Sequence, residues 1–341
     1  MQHLKMRLSV CVVLMAFAPV VAMAQVPADV APPRCGGQDL LAGIREQQPA
    51  EWSRISEAAD RTINARSIFW RIDGPSSPPS HLFGTIHLSD DRINALPVAV
   101  QLALGAAKKV ALEVADLSPQ NLNAAIGRLQ QLLVFADGRS LETLLSPDER
   151  RIAGRAIEKA GMPAAALASL RPWVVNMTLS LSDCERRRAG AGLQPLDLRL
   201  AEAAKQRGVA VVGLETLEDQ LRALAAVPEG DQLTVLRAGL RLYGGADDLL
   251  ETMVRRYLAR ELGQIWPLHE MLWRQAGFPV SAFASFQHEL VTVRNVRMRD
   301  AALPLLAEGG VFIAVGALHL PGAVGLVELI RGAGFKVTAA E

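Results

Sequence analysis

The stretch 83–88 reads FGTIHL and the stretch 315–320 reads VGALHL, so a Gly-x-x-His motif occurs twice, each time after a short apolar run. The chain has only six histidines, and two of them, His87 and His319, occupy equivalent positions in these motifs. Histidine is the commonest protein metal ligand, and its protonation changes most readily near neutral pH. The paired motifs therefore predict one functional site assembled from two related parts of the chain.

Each motif ends an apolar stretch with the composition of a buried strand. The runs 67–72 and 81–86 are separated by Gly, Pro and Ser residues, which is typical of a β-hairpin. A helical pattern and a strand at 109–114 follow the first motif, and a helix and a last strand at 335–338 follow the second. This repeated order of strand, motif, helix and strand indicates a degenerate internal duplication.

The segment between the two motif regions is mostly helical in pattern, with one short strand at 209–215. The sequence thus predicts an α/β fold. We expect a central mixed sheet with pseudo-twofold related halves, flanked by many helices, with a largely helical insertion between the halves. In open α/β sheets, ligands bind at the carboxyl ends of the strands. We therefore expect His87, His319 and Glu215 to lie at one edge of the sheet.

The first 24 residues have the pattern of a cleavable secretory signal peptide. Basic residues precede an apolar run over 8–21, and residues 22–24 read AMA, the small-x-small form that signal peptidase recognises. Pro19 interrupts this run, which is shorter than the roughly 20 apolar residues that cross a bilayer. We expect cleavage after Ala24 and a periplasmic or secreted protein, with a retained N-terminal anchor as the alternative.

After the signal peptide, the sequence indicates an N-terminal segment at 25–37, rich in Pro, Ala and Gly. With 50% hydrophobic residues, the rest of the chain can bury a large core, as one domain or as two lobes that share a sheet. We predict a single domain over 38–341. In an oxidising compartment Cys35 and Cys184 are expected to form a disulfide, and two free thiols are the alternative.

Charge and known motifs restrict the function classes. The formal charge changes from +1 to −1 when the two basic residues of the signal peptide are removed, and no long block of one sign remains. This pattern predicts no nucleic-acid partner, and we expect no transmembrane span after signal removal. The sequence has no His-Glu-x-x-His zinc helix, no P-loop, no dinucleotide-binding glycine fingerprint and no Gly-x-Ser-x-Gly elbow.

Two glutamates accompany the predicted strands. Glu113 lies between Leu112 and Val114, and a buried carboxylate is costly unless it is paired, hydrogen-bonded or metal-bound. If Glu113 faces the histidines, it can serve as a third metal ligand or a general base; a solvated strand face is the alternative. Glu215 ends another predicted strand, but it also opens a helix, where acidic residues interact favourably with the helix dipole.

A pair of arginines and three aspartates complete the candidates. Arg294 and Arg297 project from one side of a helical stretch. Such a pair can grip a substrate carboxylate or order the two glutamates. Asp90 and Asp91 follow the first motif and are expected to cap the next helix, with a ligand role as the alternative. Asp197 begins a later helix and has the same two interpretations.

Together these residues resemble the TraB/GumN family, which includes the TIKI-type metalloproteases and is related to the wider ChaN and erythromycin-esterase-like fold. The family signature is two Gly-x-x-His motifs plus a glutamate on the strand after the first, matched here by His87, His319 and Glu113. The match extends from about Cys35 to the C-terminus. Further similar positions are Arg171-Pro172-Trp173, Asp197, Gly213-Leu214-Glu215, Arg294-Asn295 and Arg297-Met298.

The resemblance implies an α/β fold with pseudo-twofold halves and a cleft between them. For the TIKI-type branch it implies metal-dependent peptide hydrolysis with divalent ions such as manganese or cobalt. We therefore predict an exported metal-dependent hydrolase, with a peptidase as the first choice and a peptide or small molecule as substrate. In this hypothesis His87, His319 and Glu113 bind a divalent metal cation (manganese, cobalt or zinc), Glu215 or Glu113 is the base, and Arg294 steadies the substrate or the carboxylates.

Two other classes of function remain open at this point. Relatives with the same fold include a haem-binding protein and a hydrolase of a macrolide ester. One alternative is therefore a non-catalytic protein of the cell envelope that binds haem or another small ligand in the same cleft, with a histidine as axial ligand. The other is a structural role in envelope or polysaccharide assembly.

Overall fold

A six-stranded sheet forms the centre of the protein in the computed structural model, which describes residues 35–75 and 77–341. The predicted signal peptide, 1–24, and residues 25–34 of the predicted N-terminal segment lie outside the described residues. The strands are β1 Phe69–Asp73, β2 Ser80–Thr85, β3 Lys109–Leu112, β4 Ala210–Gly213, β5 Val311–Gly316 and β6 Lys336–Ala339. Their order across the sheet is β4-β3-β5-β2-β1-β6.

The sheet is mixed, because β1 runs opposite to the other described strands. It pairs antiparallel with both β2 and β6, whereas the pairs β4–β3, β3–β5 and β5–β2 are parallel. β1 and β2 form the predicted hairpin, in which Phe69 is the partner of Phe83. The prediction of an α/β fold with a central mixed sheet is therefore confirmed.

The two motif strands, β2 and β5, lie side by side at the centre of the sheet. Gly84 is opposite Val315 and Thr85 is opposite Gly316. β3 returns on the far side of β5, and β6 returns on the far side of β1. The two connections therefore leave the central pair in opposite directions, as expected for halves related by a pseudo-twofold axis. The second half departs from this symmetry because β1 lies between β2 and β6.

Helices surround the sheet and dominate the insertion between the two motifs. The α-helices are α1 Leu40–Gln47, α2 Pro49–Arg61, α3 Asp91–Asn94, α4 Val98–Ala106, α5 Pro119–Leu133, α6 Leu141–Leu144, α7 Pro147–Lys159, α8 Pro172–Ser180, α9 Asp183–Gly190, α10 Leu196–Gln206, α11 Leu217–Ala226, α12 Glu229–Leu242, α13 Ala246–Leu258, α14 Ile265–Gln275, α15 Val280–Gln287, α16 Arg294–Glu308 and α17 Leu326–Gly332. Short 3-10 turns occupy Ala164–Ala168, Tyr243–Gly245, Leu262–Gln264 and Ala317–His319. A π-helical segment, His288–Val293, joins α15 to α16.

Local sequence explains where several helices begin. The helical spacing over 38–65 produces two helices, because Pro49 lacks an N–H group and occupies the first position of α2. At the start of α11, Thr216 and Asp219 form a capping box, in which each side chain accepts a hydrogen bond from the backbone of the other. This arrangement satisfies two N–H groups that the helix leaves unpaired. It also fixes the position of Gln220, which reaches the candidate site.

The sheet has an apolar core on each face. Phe83 and Phe312 pack on one face against α4 and α10, and Leu82 and Ile313 pack on the other against α16 and α17. A further core lies among α5, α7, α8, α11 and α12 and includes Trp173. Strands that are covered on both faces need apolar side chains at successive positions. This burial explains why the stretch before the second motif, 311–315, is continuously apolar.

Cys35 and Cys184 form the predicted disulfide, with Cα atoms 5.5 Å apart. Cys184 is fully buried in the first turn of α9. The bond therefore ties the start of the described chain to the helical insertion, and such bonds are typical of proteins outside the reducing cytosol. Within the described residues, none of the helices combines the length and the apolar character needed to cross a membrane.

Candidate active site

The first motif places His87 just after β2, with a side chain that is 57% exposed. Its Nδ1 atom lies 2.8 Å from Oδ2 of Asp197, and Thr85 donates a hydrogen bond of 2.6 Å to the other oxygen of this carboxylate. Asp197 raises the pKa of His87 to about 9, and Glu113 adds to this effect. Pro195 occupies the N-cap of α10, so Asp197 orients the histidine instead of capping the helix.

The second motif places His319 in a buried position, where it is 6% exposed. The fully buried Asn295 donates from Nδ2 to the carbonyl oxygens of Val324, at 2.8 Å, and of His319, at 3.2 Å. Its Oδ1 atom therefore faces Nδ1 of His319, at 2.6 Å. Because an amide oxygen can only accept, we assign the imidazole proton to Nδ1 and a lone pair to Nε2. Burial lowers the pKa of His319 to about 3.

Glu113 directly follows β3 and lies between the two imidazole rings. Its Oε1 atom is 3.8 Å from Nε2 of His87 and 3.7 Å from Nε2 of His319, distances that are too long for hydrogen bonds. The same oxygen accepts a hydrogen bond of 2.6 Å from the backbone N–H of Gly316. A Cβ atom at Gly316 would lie 3.2 Å from this oxygen and 3.4 Å from Nε2 of His87. Glycine therefore keeps the space between the three side chains open.

Arg294 connects Glu113 to Glu215 behind the histidines. Its Nη2 atom donates to Oε2 of Glu113 at 2.6 Å, and its Nε atom donates to Oε1 of Glu215 at 3.0 Å. Gln220 donates to both carboxylates, at 3.1 and 2.9 Å. Burial alone would raise the pKa of Glu113, but Arg294, the two histidines and the Gly316 N–H hold it well below its usual range. Burial raises the pKa of Glu215 despite the opposing effect of Arg294.

The structure brings His87, His319, Glu113, Glu215 and Arg294 into one cluster. The other candidates lie elsewhere or act differently. Arg297 is exposed and approaches Asp219 at 4.0 Å.

The aspartates after the first motif belong to the following helix. Asp90 is the N-cap of α3 and accepts a hydrogen bond from the backbone N–H of Arg92, as predicted. Asp91 lies exposed in the first turn of that helix.

Three further contacts at the site did not follow from the sequence pattern. Gln220 bridges the two glutamates, Asn295 orients His319, and the hydroxyl of Tyr257 donates to the carbonyl oxygen of Gly84 at 2.8 Å. Asn295 is adjacent to Arg294 in the sequence. This adjacency to a candidate residue was the sequence feature that pointed to a role for Asn295. The capping box indicates where α11 begins, and α11 carries Gln220. It does not indicate that Gln220 contacts the two glutamates.

Two cavities open beside His87. We call the first the Asn176 cavity; it has a volume of about 360 Å³ and also includes Glu113, Asp197 and Leu193 in its lining. We call the second the Trp266 cavity; it has a volume of about 240 Å³ and is bordered by Arg294 and His319. The open space between the imidazoles and Glu113 therefore adjoins room for a ligand on both sides.

A family model described as TraB/PrgY/gumN matches residues 68–339, a range that contains both motifs and all five clustered side chains. The chain belongs to this family. The family resemblance predicted from the two motifs and Glu113 is therefore confirmed. No solved structure matches the chain significantly.

Curated relatives cover most of the chain. It is 26% identical over 326 residues to a protein of Danio rerio named Metalloprotease TIKI2, in an alignment that covers 80% of this chain and 60% of the relative. It is 25% identical over 259 residues to Uncharacterized protein YbaP of Escherichia coli strain K12, which covers 75% of this chain and 89% of the relative. The chain thus spans about 60% of the length of the TIKI2 protein and most of the length of YbaP.

The donor atoms of the site fit a cation with small adjustments. Around a tetrahedral ion with bonds of about 2.0–2.2 Å, neighbouring ligand atoms lie about 3.3–3.6 Å apart. The separations from Glu113 Oε1 to the two Nε2 atoms, 3.8 and 3.7 Å, are a few tenths longer. Within residues 35–75 and 77–341, no group of three or more His, Cys, Asp or Glu side chains is already closed into a metal-binding cluster. The two histidines and Glu113 therefore form an open arrangement, in which two imidazole nitrogens face one carboxylate oxygen.

Proposed function

We propose that the protein is an exported, metal-dependent hydrolase, with peptides as the first substrate class to test. The observation that carries this proposal is the convergence of Nε2 of His87 and Nε2 of His319 on one oxygen of Glu113, at 3.8 and 3.7 Å. These three side chains would hold a divalent cation such as manganese, cobalt or zinc. The TIKI2 relatives are named as metalloproteases, which supports the same class of reaction. The disulfide supports export.

The hydrogen bonds behind the histidines support a metal role. Asp197 and Asn295 each contact the Nδ1 atom, at 2.8 and 2.6 Å, which leaves the Nε2 atom of each ring directed towards Glu113. Metal-binding histidines almost always donate their second ring N–H to such a partner, and the partner fixes the ring orientation. The raised pKa of His87 places a proton on its Nε2 atom in the metal-free protein. A cation that displaced this proton would lie between the two Nε2 atoms and Glu113.

The charge balance of the cluster supports a cation of charge +2. Glu113 and Glu215 pair with Arg294, and Asp197 pairs with His87, so the cluster has a formal charge of −2 once a cation has displaced the proton of His87. Buried charge is costly unless it is compensated nearby. A divalent cation between the histidines and Glu113 would compensate it fully.

In this mechanism each residue has a distinct task. A bound divalent cation would lower the pKa of a water molecule and polarise a substrate carbonyl. Glu113 lines the Asn176 cavity and is ionised, so its Oε1 atom would bind the cation together with the two Nε2 atoms. Glu215 is held behind Glu113 by Arg294 and Gln220, and we therefore propose that Glu215 positions Glu113.

Metal titration tests the proposal directly. Manganese, cobalt and zinc are titrated by calorimetry into metal-stripped wild type, His87→Ala and His319→Ala. We expect wild type to bind at least one ion, and each variant to lose affinity by more than about tenfold, since even the partners of metal ligands contribute that much. His288→Ala is the matched control, because this histidine is exposed and lies in the π-helical segment. Equal binding by wild type and His87→Ala would refute the metal site.

The metal-loaded protein is then assayed with a mixture of internally quenched peptides. We expect cleavage that chelation abolishes and that Glu113→Gln lowers by about 10²-fold or more. A Soret band on addition of haem that disappears in His319→Ala, together with no peptide cleavage, would favour the alternative of a non-catalytic haem-binding protein.

A further inference from the structure

We infer that the substrate carries an uncharged, bulky apolar group next to the reacting bond and that the Trp266 cavity binds this group. A longer segment of mixed polarity then occupies the Asn176 cavity. The inference rests on the proposed hydrolase function, because it places the reacting bond at His87 and Glu113. It adds a substrate class and a binding site on each side of that bond.

The two cavities meet at the candidate reaction centre. His87, Phe286 and Leu290 line both of them. Phe286 lies near the end of α15 and Leu290 lies in the π-helical segment that follows. Such segments interrupt the regular α-helical spacing and are frequent at functional sites. An extended ligand that occupies both cavities must therefore pass His87.

The volumes also favour one ligand that spans both cavities. Pockets for small molecules commonly measure about 300–1,000 Å³. The Trp266 cavity, at about 240 Å³, lies below this range, and the Asn176 cavity, at about 360 Å³, lies near its lower end. The pair together falls within the range, so the smaller cavity is suited to one side group and the larger one to a longer segment.

The Trp266 cavity has an apolar wall. Ile86, Met253, Ile265, Trp266 and Leu318 contribute to it. Both aromatic and aliphatic groups can therefore gain contact area there, and burying such a group is favourable roughly in proportion to that area.

Two polar groups at the edge of the Trp266 cavity are already engaged. Arg294 binds Glu113 and Glu215, and the Tyr257 hydroxyl donates to the carbonyl oxygen of Gly84. A charged ligand group would lose hydration in this cavity without gaining a free partner among these two side chains. The described lining contains no carboxylate, so lysine-like groups are expected to be rejected, and an aspartate-like group would find a cationic partner only at His87, on the side of the reacting bond.

The Asn176 cavity is more polar and carries negative charge. Asn176 and Ser180 contribute an amide and a hydroxyl group, and Asp197 and Glu185 are carboxylates. Its described lining contains neither lysine nor arginine. Hydrogen bonds to a peptide backbone are available there, whereas an anionic segment would be repelled.

The binding test uses N-acetyl amino-acid amides as probes and needs neither turnover nor metal. Binding of the Phe, Leu, Gly, Lys and Asp amides to the full chain is measured by saturation-transfer NMR. We expect the Phe and Leu amides to bind at least about tenfold more tightly than the other three, the scale that an apolar pocket provides for a few added methylene groups. Equal binding of the Lys or Asp amide would overturn the inference.

Two variants and a matched control assign the site. Met253→Trp fills the Trp266 cavity and is expected to weaken binding of the Phe amide by about tenfold. Leu193→Trp narrows the Asn176 cavity alone and should leave this binding unchanged. An equal loss in both variants would overturn the assignment.

A third variant protects the test against a folding defect in Met253→Trp. Trp266→Ala enlarges the Trp266 cavity and is expected to shift the preference from the Phe amide to the larger naphthylalanine amide. An unchanged preference in a variant with a cooperative melting transition would contradict the inference. Metal titration decides the proposed function separately, so a protein that binds metal but shows no apolar preference would refute the substrate class alone.

Discussion

His87 and His319 occupy the same position in the same motif, but their surroundings differ in exposure and charge. The side chain of His87 is 57% exposed and contacts the carboxylate of Asp197. His319 is buried and contacts the neutral amide of Asn295. The pKa of His87 is accordingly raised to about 9, while burial lowers the pKa of His319 to about 3.

The difference between the two histidine pKa values comes from the helices that contact each ring and not from the Gly-x-x-His motif. Asp197 belongs to α10 and Asn295 to α16, and both helices lie in or after the insertion that separates the two halves. The duplicated strand and glycine thus determine where each histidine lies, whereas the inserted helices determine its charge state. A pair of this kind combines one histidine open to solvent with one rigid, neutral partner.

Arg294→Met is expected to have the largest effect, because it removes the cation that both glutamates share. Two buried carboxylates would remain without a charge partner, and such a loss costs about 3–5 kcal/mol of unfolding free energy. The deficit should shrink as the pH falls, because the unpaired carboxylates then become protonated. Urea denaturation at pH 7 and pH 4.5 measures both effects. Arg297→Met, on the exposed side of the same helix, should change stability by less than about 0.5 kcal/mol.

Asp90→Asn tests the charged network that holds the loop after the first motif. Against the effect of burial, Arg92 and Arg188 lower the pKa of Asp90 to about 2, from an ordinary value of about 3.9. A depressed carboxyl pKa stabilises the fold fully above about pH 4, and this contribution is lost as the pH falls through about 2. We expect the variant to lose about 2 kcal/mol at pH 7 and much less near pH 2. A difference from wild type that does not depend on pH would contradict the assignment.

Alanine at the two motif glycines should separate stability from metal binding. At Gly84 a Cβ atom would lie 2.7 Å from Cδ1 of Leu320 and 3.0 Å from Cα of Ala317, inside the core. Gly84→Ala is therefore expected to cost about 1–3 kcal/mol. At Gly316 the added carbon faces Glu113 and His87, so Gly316→Ala should weaken metal binding with a smaller loss of stability. Thermal melts measure the stability of both variants, and metal titrations measure their affinity for the metal. Equal losses of stability and of metal affinity in the two variants would contradict the prediction.

Asp197→Asn should change the charge of His87 with the smallest effect on the fold. The amide can keep a hydrogen bond to Nδ1 but removes the negative charge that raises the histidine pKa. In metal-free protein, we expect the pKa of His87 to fall from about 9 towards the ordinary value of about 6.5. An NMR titration of the histidine Hε1 signals measures this change, with the His319 signal as the internal reference. An unchanged His87 signal would show that Asp197 does not control its charge.

Local signals predicted the frame of the site. The hairpin, the two motif strands and the isolated Glu113 follow from apolar runs and turn residues that lie close together in sequence. Arg294 and Arg297 were predicted to grip a substrate carboxylate or to order the glutamates, and Arg294 does contact both glutamates, whereas Arg297 approaches Asp219. These features depend on backbone periodicity, which a short window of sequence reveals.

Contacts between distant helices could not be predicted in the same way. Asp197 was expected to cap a helix or bind a ligand, yet its partners Thr85 and His87 are 112 and 110 residues away. Gln220 reaches Glu113 across 107 residues. No local pattern specifies these pairs, since they depend on how α10 and α11 pack beside the sheet.

The central pairing of β2 with β5 also has a consequence for the synthesis of the chain. The hydrogen bond from Gly316 to Glu113 joins residues 203 positions apart, and β5 begins at Val311. A growing chain that has not yet reached β5 contains His87 and Glu113 but lacks the other half of the centre. Contacts of such long range form slowly. If the proposed function holds, a polypeptide that ends before β5 would be inert, because it lacks His319 and the Gly316 N–H group.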